Sequence, residues 1–257
     1  MQSKILQSAK QLGFAVALGA LAIALSGTAN AAITYDTSLV SPPGVYFGTG
    51  NPNNGFTVDI ENGVELGLAT ELRFVGNVTP TSTNIYNVPT GTSGGDALWD
   101  FVFSVNLQPG GAAGNSGLTL SGITPTITLT NLGNSDTISF NPLTSLTDNA
   151  GWGPSSPPDN TVSAANLATD TGFQNAENFS FSILPIVLGF DPNAPGNYEV
   201  TLSLVDTANS DSLGSVTEYI NATSAVPEPA TWAMMLIGFG LVGLQLKRRN
   251  AARSFTA

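Results

Sequence analysis

Hydrophobic and polar residues alternate along three stretches of the chain, Trp99–Leu107, Ile123–Thr130 and Tyr198–Leu204. A repeat of two residues places successive side chains on opposite faces of an extended segment, so each stretch is predicted to be a half-buried β-strand. Shorter strands are predicted at Phe56–Ile60, Val64–Leu68, Glu71–Gly76, Thr137–Phe140 and Val216–Ile220.

Three further signals refine this pattern. Phe179–Leu188 is predicted to be a strand, with Pro185 marking a sheet edge or a bulge because proline cannot donate to the ladder. Asn62-Gly63 lies between two predicted strands and is typical of a type I′ hairpin turn. Ser163–Ala176 indicates at most a short helical turn.

About ten strands separated by Gly, Pro, Asn and Asp clusters predict an all-β fold. We expect residues 32–225 to form one antiparallel, jelly-roll-like β-sandwich. The alternative is two smaller sandwiches divided near the glycine-rich stretch Gln108–Gly117. Asp148–Asn160, with several prolines and glycines, is predicted to be a long surface loop.

The first 31 residues have the features of an export signal. Two lysines precede the apolar, uncharged stretch Leu12–Leu25, and Ala29 and Ala31 supply the small residues that a signal peptidase requires. We therefore interpret residues 1–31 as a signal peptide and expect cleavage before Ala32.

The other end of the chain carries a second apolar segment. Thr231–Leu246 contains 16 residues without a charge and is followed by Lys247, Arg248 and Arg249. It is predicted to be one transmembrane helix, although a comfortable span takes roughly 20 residues. Basic residues stay on the cytoplasmic side, so Trp232 is expected at the outer interface.

The segment before this helix contains Pro227-Glu228-Pro229, and both prolines favour extended backbone. Together with the apolar helix and the basic cluster, residues 226–249 resemble the PEP-CTERM sorting signal of Gram-negative bacteria. Residues 250–257 are then a short cytoplasmic tail.

This resemblance implies that the chain is the substrate of an exosortase, a membrane enzyme of the transpeptidase kind. It also implies a precursor held transiently in the inner membrane and a final place at the outer surface or in the extracellular matrix. Association with exopolysaccharide or biofilm is the role that the resemblance suggests.

Composition limits the chemistry of the body. The chain has no cysteine and no histidine, and between residues 32 and 226 it carries 17 acidic residues and one basic residue, Arg73. Nucleic-acid binding requires the opposite charge and is excluded. Thiolate and imidazole chemistry is absent as well, so we expect no enzyme activity.

Paired carboxylates offer one catalytic alternative, a secreted carbohydrate-active enzyme. Asp59 and Glu61 lie on one face of a predicted strand, and Glu65 and Glu71 are candidates for cross-strand neighbours. The non-catalytic interpretation is a solvated acidic face in which Arg73 bridges one of these glutamates.

A structural calcium ion is the one cofactor that the sequence suggests. The loop from Asp206 through Asn209 to Asp211 supplies closely spaced oxygen ligands, as does Asp191–Asn197. Neither loop fits the EF-hand pattern, and ordinary Asx turns explain the same composition. Calcium-dependent adhesion is therefore an alternative function.

Ice binding is a further alternative, because Thr124, Thr126, Thr128 and Thr130 form a regular row along one predicted strand. A single row is also what any solvent-exposed strand rich in threonine shows. A second Thr row stacked beside it would favour ice binding, whereas a twisted, isolated row would exclude it.

The signal-peptide interpretation predicts that the exported protein begins at Ala32 or within two residues of it. N-terminal sequencing of protein recovered outside the cytoplasm checks this, and a chain that still begins at Met1 would contradict it.

Overall fold

The computed structural model describes residues 33–40, 54–81, 84–110, 116–145, 151–153, 164–224 and 229–254. Every described residue belongs to one compact unit, Ala31–Ala257. β-Strands make up most of the regular structure of this unit.

The described strands are short at the ends of the sheets and long at their centres. In chain order they are β1 Thr34–Thr37, β2 Phe56–Glu61, β3 Val64–Leu72, β4 Gly76–Asn77, β5 Ile85–Pro89, β6 Thr92–Ser93, β7 Asp96–Ala97, β8 Trp99–Asn106, β9 Ile123–Asn131, β10 Thr137–Phe140, β11 Gly151–Gly153, β12 Gly172–Glu177, β13 Gly196–Asp206 and β14 Ser212–Thr223. The helices are α1 Pro142–Ser145, α2 Ala164–Thr169, α3 Leu184–Leu188 and α4 Pro229–Ser254, and a 3-10 turn spans Leu120–Gly122.

Two sheets pack face to face. The first has the order β1-β2-β3-β8-β12-β11, with β4 beside β3, and the second has the order β10-β9-β13-β14-β5. All pairs are antiparallel except β14 with β5. The predicted antiparallel β-sandwich is confirmed.

Strands from both sides of Gln108–Gly117 meet within each sheet. β8 pairs with β12 in the first sheet, and β5 pairs with β14 in the second. The glycine-rich stretch therefore does not divide two separate sandwiches.

Side chains from both sheets form one hydrophobic core. Its centre is Trp99, whose ring centroid lies 5.1 Å from that of Phe179, 5.7 Å from Phe190 and 6.0 Å from Tyr198. Aromatic rings at these separations in tilted and edge-on arrangements add to the free energy gained by burial. This aromatic cluster joins β8 of the first sheet to β13 of the second.

Strand β8 was expected to be half-buried, and the structure buries both of its faces. Its outward side chains are covered as well, because a second hydrophobic cluster that includes Leu39 and Tyr86 lies on this face. Val102 packs in this cluster with Phe56 and Ala69. Ser104 accepts a hydrogen bond from the buried Gln174 at 2.8 Å.

The prediction of a strand over Phe179–Leu188 is wrong. Residues 179–183 form turns and Leu184–Leu188 is helix α3. Pro185 is tolerated because it lies in the first turn of the helix, where its missing N–H has no partner to lose. Gly189 ends the helix in the left-handed conformation, with φ of 61°.

Other expectations are met or corrected at single elements. Asn62 and Gly63 both have positive φ, 51° and 76°, as a type I′ turn requires. The strand predicted over Glu71–Gly76 is interrupted, because β3 ends at Leu72 and a turn precedes β4. Within Asp148–Asn160 only residues 151–153 are described, and they form the short strand β11, so most of the predicted loop lies outside the described residues.

Candidate functional site

Arg73, the one cation of the body, is held by two aspartates at the turn between β3 and β4. Its Nη1 atom lies 2.8 Å from Asp96 Oδ2, and its Nε atom lies 3.6 Å from Asp100 Oδ2. The expectation that Arg73 bridges a glutamate is therefore wrong. The short hairpin of β6 and β7 supplies Asp96, and sequence spacing alone does not bring that hairpin to the turn.

Asn178 ties the same region to the core. Its fully buried amide nitrogen lies 3.0 Å from the Ala97 carbonyl, 2.9 Å from the Trp99 carbonyl and 2.6 Å from Asp100 Oδ1. Burial raises the pKa of Asp100. The hydrogen bond from Asn178 and the charge of Arg73 both lower this pKa, but they do not cancel the effect of burial. Asp100 is thus a structural carboxylate that anchors β8 to the turn after β12.

Glu71 lies directly across from Asp100 in the register of β3 and β8. Burial and the neighbouring charge of Asp100 together raise the pKa of Glu71 to about 7, although the charge of Arg73 opposes both. Two adjacent buried carboxyls cannot both ionise cheaply, so Glu71 holds its proton at acidic pH.

The glutamates proposed as cross-strand neighbours do not form a pair. Glu65 and Glu71 both belong to β3, six positions apart. Glu65 Oε2 accepts a hydrogen bond from the Val40 N–H at 2.8 Å, and Glu65 Oε1 accepts one from Asn106 at 3.3 Å. The carboxylate is engaged in holding the first sheet together.

Asp59 and Glu61 do share one face of β2, as the alternation indicated, because their register partners Leu66 and Val64 both belong to the core. Asp59 is buried, and its Oδ2 atom accepts a hydrogen bond from the Ser215 N–H of the opposite sheet at 3.4 Å. Burial raises the pKa of Asp59.

Glu218 on β14 points into the core between the sheets and is completely buried. Neither of its carboxyl oxygens has a hydrogen bond of good geometry within the described residues. Burial raises its pKa well above the usual range, and the Thr70 hydroxyl only partly opposes this. The buried position of Glu218 therefore favours the protonated, uncharged form of its carboxyl group.

The outer face of the second sheet carries a regular array of hydroxyl side chains. Ser139, Thr128, Thr201 and Thr217 lie opposite one another across four neighbouring strands. Two pairs are hydrogen-bonded, Thr128 to Ser139 at 2.8 Å and Thr201 to Thr217 at 2.9 Å. We call this surface the hydroxyl face, and it comprises Thr126, Thr128, Thr130, Thr137, Ser139, Thr201, Ser203, Ser215 and Thr217.

The calcium candidates form the turn between β13 and β14. Asp206 Oδ1 accepts a hydrogen bond from the Ala208 N–H at 2.8 Å, and Asn209 Nδ2 donates to Asp211 Oδ2 at 2.8 Å. These are the contacts of Asx turns. No group of three or more acidic side chains able to hold a metal occurs among the described residues. Calcium binding stays a prediction.

The same turn occurs a second time, between β9 and β10. There Asn134 Nδ2 donates to Asp136 Oδ2 at 2.8 Å, and Ser135 has the left-handed φ of 67° that Ser210 repeats at 62°. The sequence Asn-Ser-Asp precedes the second strand in both hairpins. This repeat is visible in the sequence and predicts two equivalent hairpins, a signal that our sequence analysis missed.

The predicted sorting residues surround the start and end of α4. Pro229 begins this helix, and Trp232, Lys247, Arg248 and Arg249 lie within it. Pro227 and Glu228 lie outside the described residues, as do Ala29 and Ala31 of the predicted signal cleavage site. The side chains of residues 233–245 are all exposed.

Residues 225–249 match the family described as the PEP-CTERM protein-sorting motif. The tail is a PEP-CTERM sorting motif. The resemblance seen in Pro227-Glu228-Pro229, the helix and the basic cluster is thereby confirmed. A PEP-CTERM protein is exported, anchored in the membrane before processing, and processed by an exosortase.

The helix of the PEP-CTERM motif was predicted to be transmembrane. Among the residues that the structure describes, no helix reaches the combined length and hydropathy expected of a membrane span.

Comparisons with other known proteins add no functional information. No curated protein matches the chain in sequence. A crystal structure of FetP from uropathogenic Escherichia coli shares 12% identity with a TM-score of 0.29, covering 66% of this chain and 94% of FetP. A copper-bound variant of FetP shares 12% identity with a TM-score of 0.28, covering 65% and 95%.

The raised pKa of Glu71 predicts that the body becomes less stable as the pH rises. Between the unfolded pKa of 4.5 and the folded pKa of about 7, the folded state binds more protons, so stability is lost across this window. Replacing Glu71→Gln removes the ionisation and is expected to stabilise the protein at pH 8 by about 1–3 kcal/mol.

Thermal melts at a series of pH values measure this effect. Glu199→Gln, a half-buried glutamate on the second sheet, is the matched control. Equal pH dependence in wild type and Glu71→Gln would contradict the assignment.

Proposed function

We propose that the processed protein is a non-catalytic β-sandwich of the outer cell surface or extracellular matrix that associates with exopolysaccharide. The observation that carries the proposal is the PEP-CTERM motif at residues 225–249, which commits the chain to export and exosortase processing. A β-sandwich domain that is exported with a removable membrane anchor is suited to a role at the cell surface or in the extracellular matrix.

The contacts of the carboxyl groups support a role without catalysis. Asp100 is committed to Arg73 and Asn178, and Glu65 to Val40 and Asn106. Glu218 is completely buried between the sheets. A glycosidase needs two carboxyls that face one substrate cleft. Glu71 and Asp100 are adjacent, and both are buried close to Arg73, which supports a structural role for the pair.

The tail gives the direct test of this proposal. Replacing Pro227, Glu228 and Pro229 with alanine should leave export intact, because the signal peptide and the basic cluster are unchanged. The variant should then accumulate in the membrane at full length, whereas the wild type reaches the surface or matrix fraction.

Fractionation of the producing bacterium and immunoblotting of each fraction measure the distribution. Alanine substitution of Arg253, Ser254 and Phe255, beyond the basic cluster, is the control and should behave like the wild type. A wild-type protein confined to the membrane would contradict the proposal.

The hydroxyl face supports a second candidate function, ice binding. The row of threonines that contains Thr128 has a row of hydroxyl side chains on each side. Ser139 belongs to one of these rows and Thr201 to the other. Strands about 4.8 Å apart, with same-face side chains about 6.7 Å apart along each strand, set hydroxyls on a regular two-dimensional grid. A crystalline surface of water can match a repeating grid, whereas liquid water does not.

Ice binding predicts that the processed protein inhibits ice recrystallisation. Thr201→Tyr places a bulky ring at the centre of the hydroxyl face and should abolish the effect. Thr92→Tyr, on the exposed β6 strand, should leave it unchanged. Recrystallisation assays on frozen films measure it, and an inactive wild type would remove this candidate.

A further inference from the structure

The turn that connects β3 and β4 exposes two large apolar side chains side by side. Phe74 is 93% exposed and Val75 is 80% exposed. The turn consists of Arg73, Phe74 and Val75, and we call it the Phe74 turn. An exposed phenylalanine gains nothing for the fold from burial, so its presence needs another reason.

The backbone of Phe74 is strained. Its φ is 62°, in the left-handed region that a bulky residue occupies at a free-energy cost of about 1–2 kcal/mol. Glycine or asparagine would adopt this conformation more readily. The turn is nevertheless fixed, because the Arg73 N–H donates to the Leu98 carbonyl at 3.0 Å and the Val75 N–H to the Leu72 carbonyl at 2.9 Å.

Arg73 holds the ring of Phe74 in place. Its guanidinium carbon lies 5.3 Å from the ring centroid of Phe74 and 5.5 Å from that of Phe181, so the cation contacts both aromatic rings. The ion pair with Asp96 at 2.8 Å fixes the guanidinium in turn. The cation therefore lies over the Phe74 ring, and most of the ring surface stays open to solvent.

Local charge indicates what the ligand is. Asp96 and Asp100 together outweigh Arg73, and residues 32–226 as a whole carry 17 acidic residues against one basic residue. A polyanion would be repelled from this surface. An exposed aromatic face beside a partly exposed carboxylate and guanidinium matches the apolar ring face and the hydroxyl groups of an uncharged sugar.

We propose that the Phe74 turn is a binding site for a neutral polysaccharide, in which a pyranose ring packs on Phe74 and its hydroxyl groups bond to Asp96 and Arg73. This inference rests on the proposed association with exopolysaccharide and names the surface that makes it. Val75 lies beside the ring and extends the apolar contact.

Affinity gel electrophoresis of the processed protein tests the site, with dextran, galactomannan and xyloglucan as neutral probes and alginate as the anionic probe. The wild type should be retarded by at least one neutral polysaccharide and not by alginate. Phe74→Ala should weaken binding about tenfold, which is a change of about 1.4 kcal/mol. Phe74→Trp should retain binding, because indole offers a larger stacking face.

Thermal melts of each variant verify folding. No retardation by any neutral probe, retardation by alginate alone, or equal binding by wild type and Phe74→Ala would overturn the inference.

Fractionation of the producing bacterium separates this inference from the proposed function. If wild type and Phe74→Ala both remain in the matrix, the Phe74 turn is not the site, although matrix association stands. If the wild type is absent from the matrix, the proposed function itself fails.

Discussion

A sandwich with 17 acidic residues and a single arginine cannot neutralise its carboxyls by pairing them with cations. The fold depends on how it meets this constraint. Glu218 is buried without a charge partner, and Glu65 and Asp100 accept hydrogen bonds from backbone or amide groups. Burial raises the pKa of all three carboxyls, and the hydrogen bonds that Glu65 and Asp100 accept oppose this rise.

Arg73 contacts residues from several separate segments of the chain. It joins the β3–β4 turn to Asp96 of the β6–β7 hairpin and to Asp100 of β8, and it contacts Phe181 of the turn after β12. Three separate loops are thereby fixed at one cluster, and Asn178 links that cluster to the aromatic core around Trp99. Loops held this firmly by a rigid scaffold are common places for binding.

Sequence patterns predicted the central strands well, because the alternation in β9 and β13 directly reflects one buried and one exposed face. They failed at Phe179–Leu188, where apolar residues alternate as in a strand, yet Leu184–Leu188 forms a helix with Pro185 in its first turn. They also misassigned the partner of Arg73. Of the hydroxyl face, only the threonine row on β9 could be predicted from sequence. The register of four strands decides which other hydroxyl groups lie beside it. The sorting motif of the tail could be recognised from sequence alone, because the Pro-Glu-Pro segment, the apolar helix and the basic cluster follow one another directly.

The central claim is that the PEP-CTERM tail is a temporary anchor and that the sandwich functions after its removal. Intact-mass spectrometry of the protein extracted from the surface or matrix of the producing bacterium tests it most directly. The account predicts a chain that begins near Ala32 and ends close to Ala230, without the apolar segment. A surface form that retains Trp232 through Leu246 would contradict it.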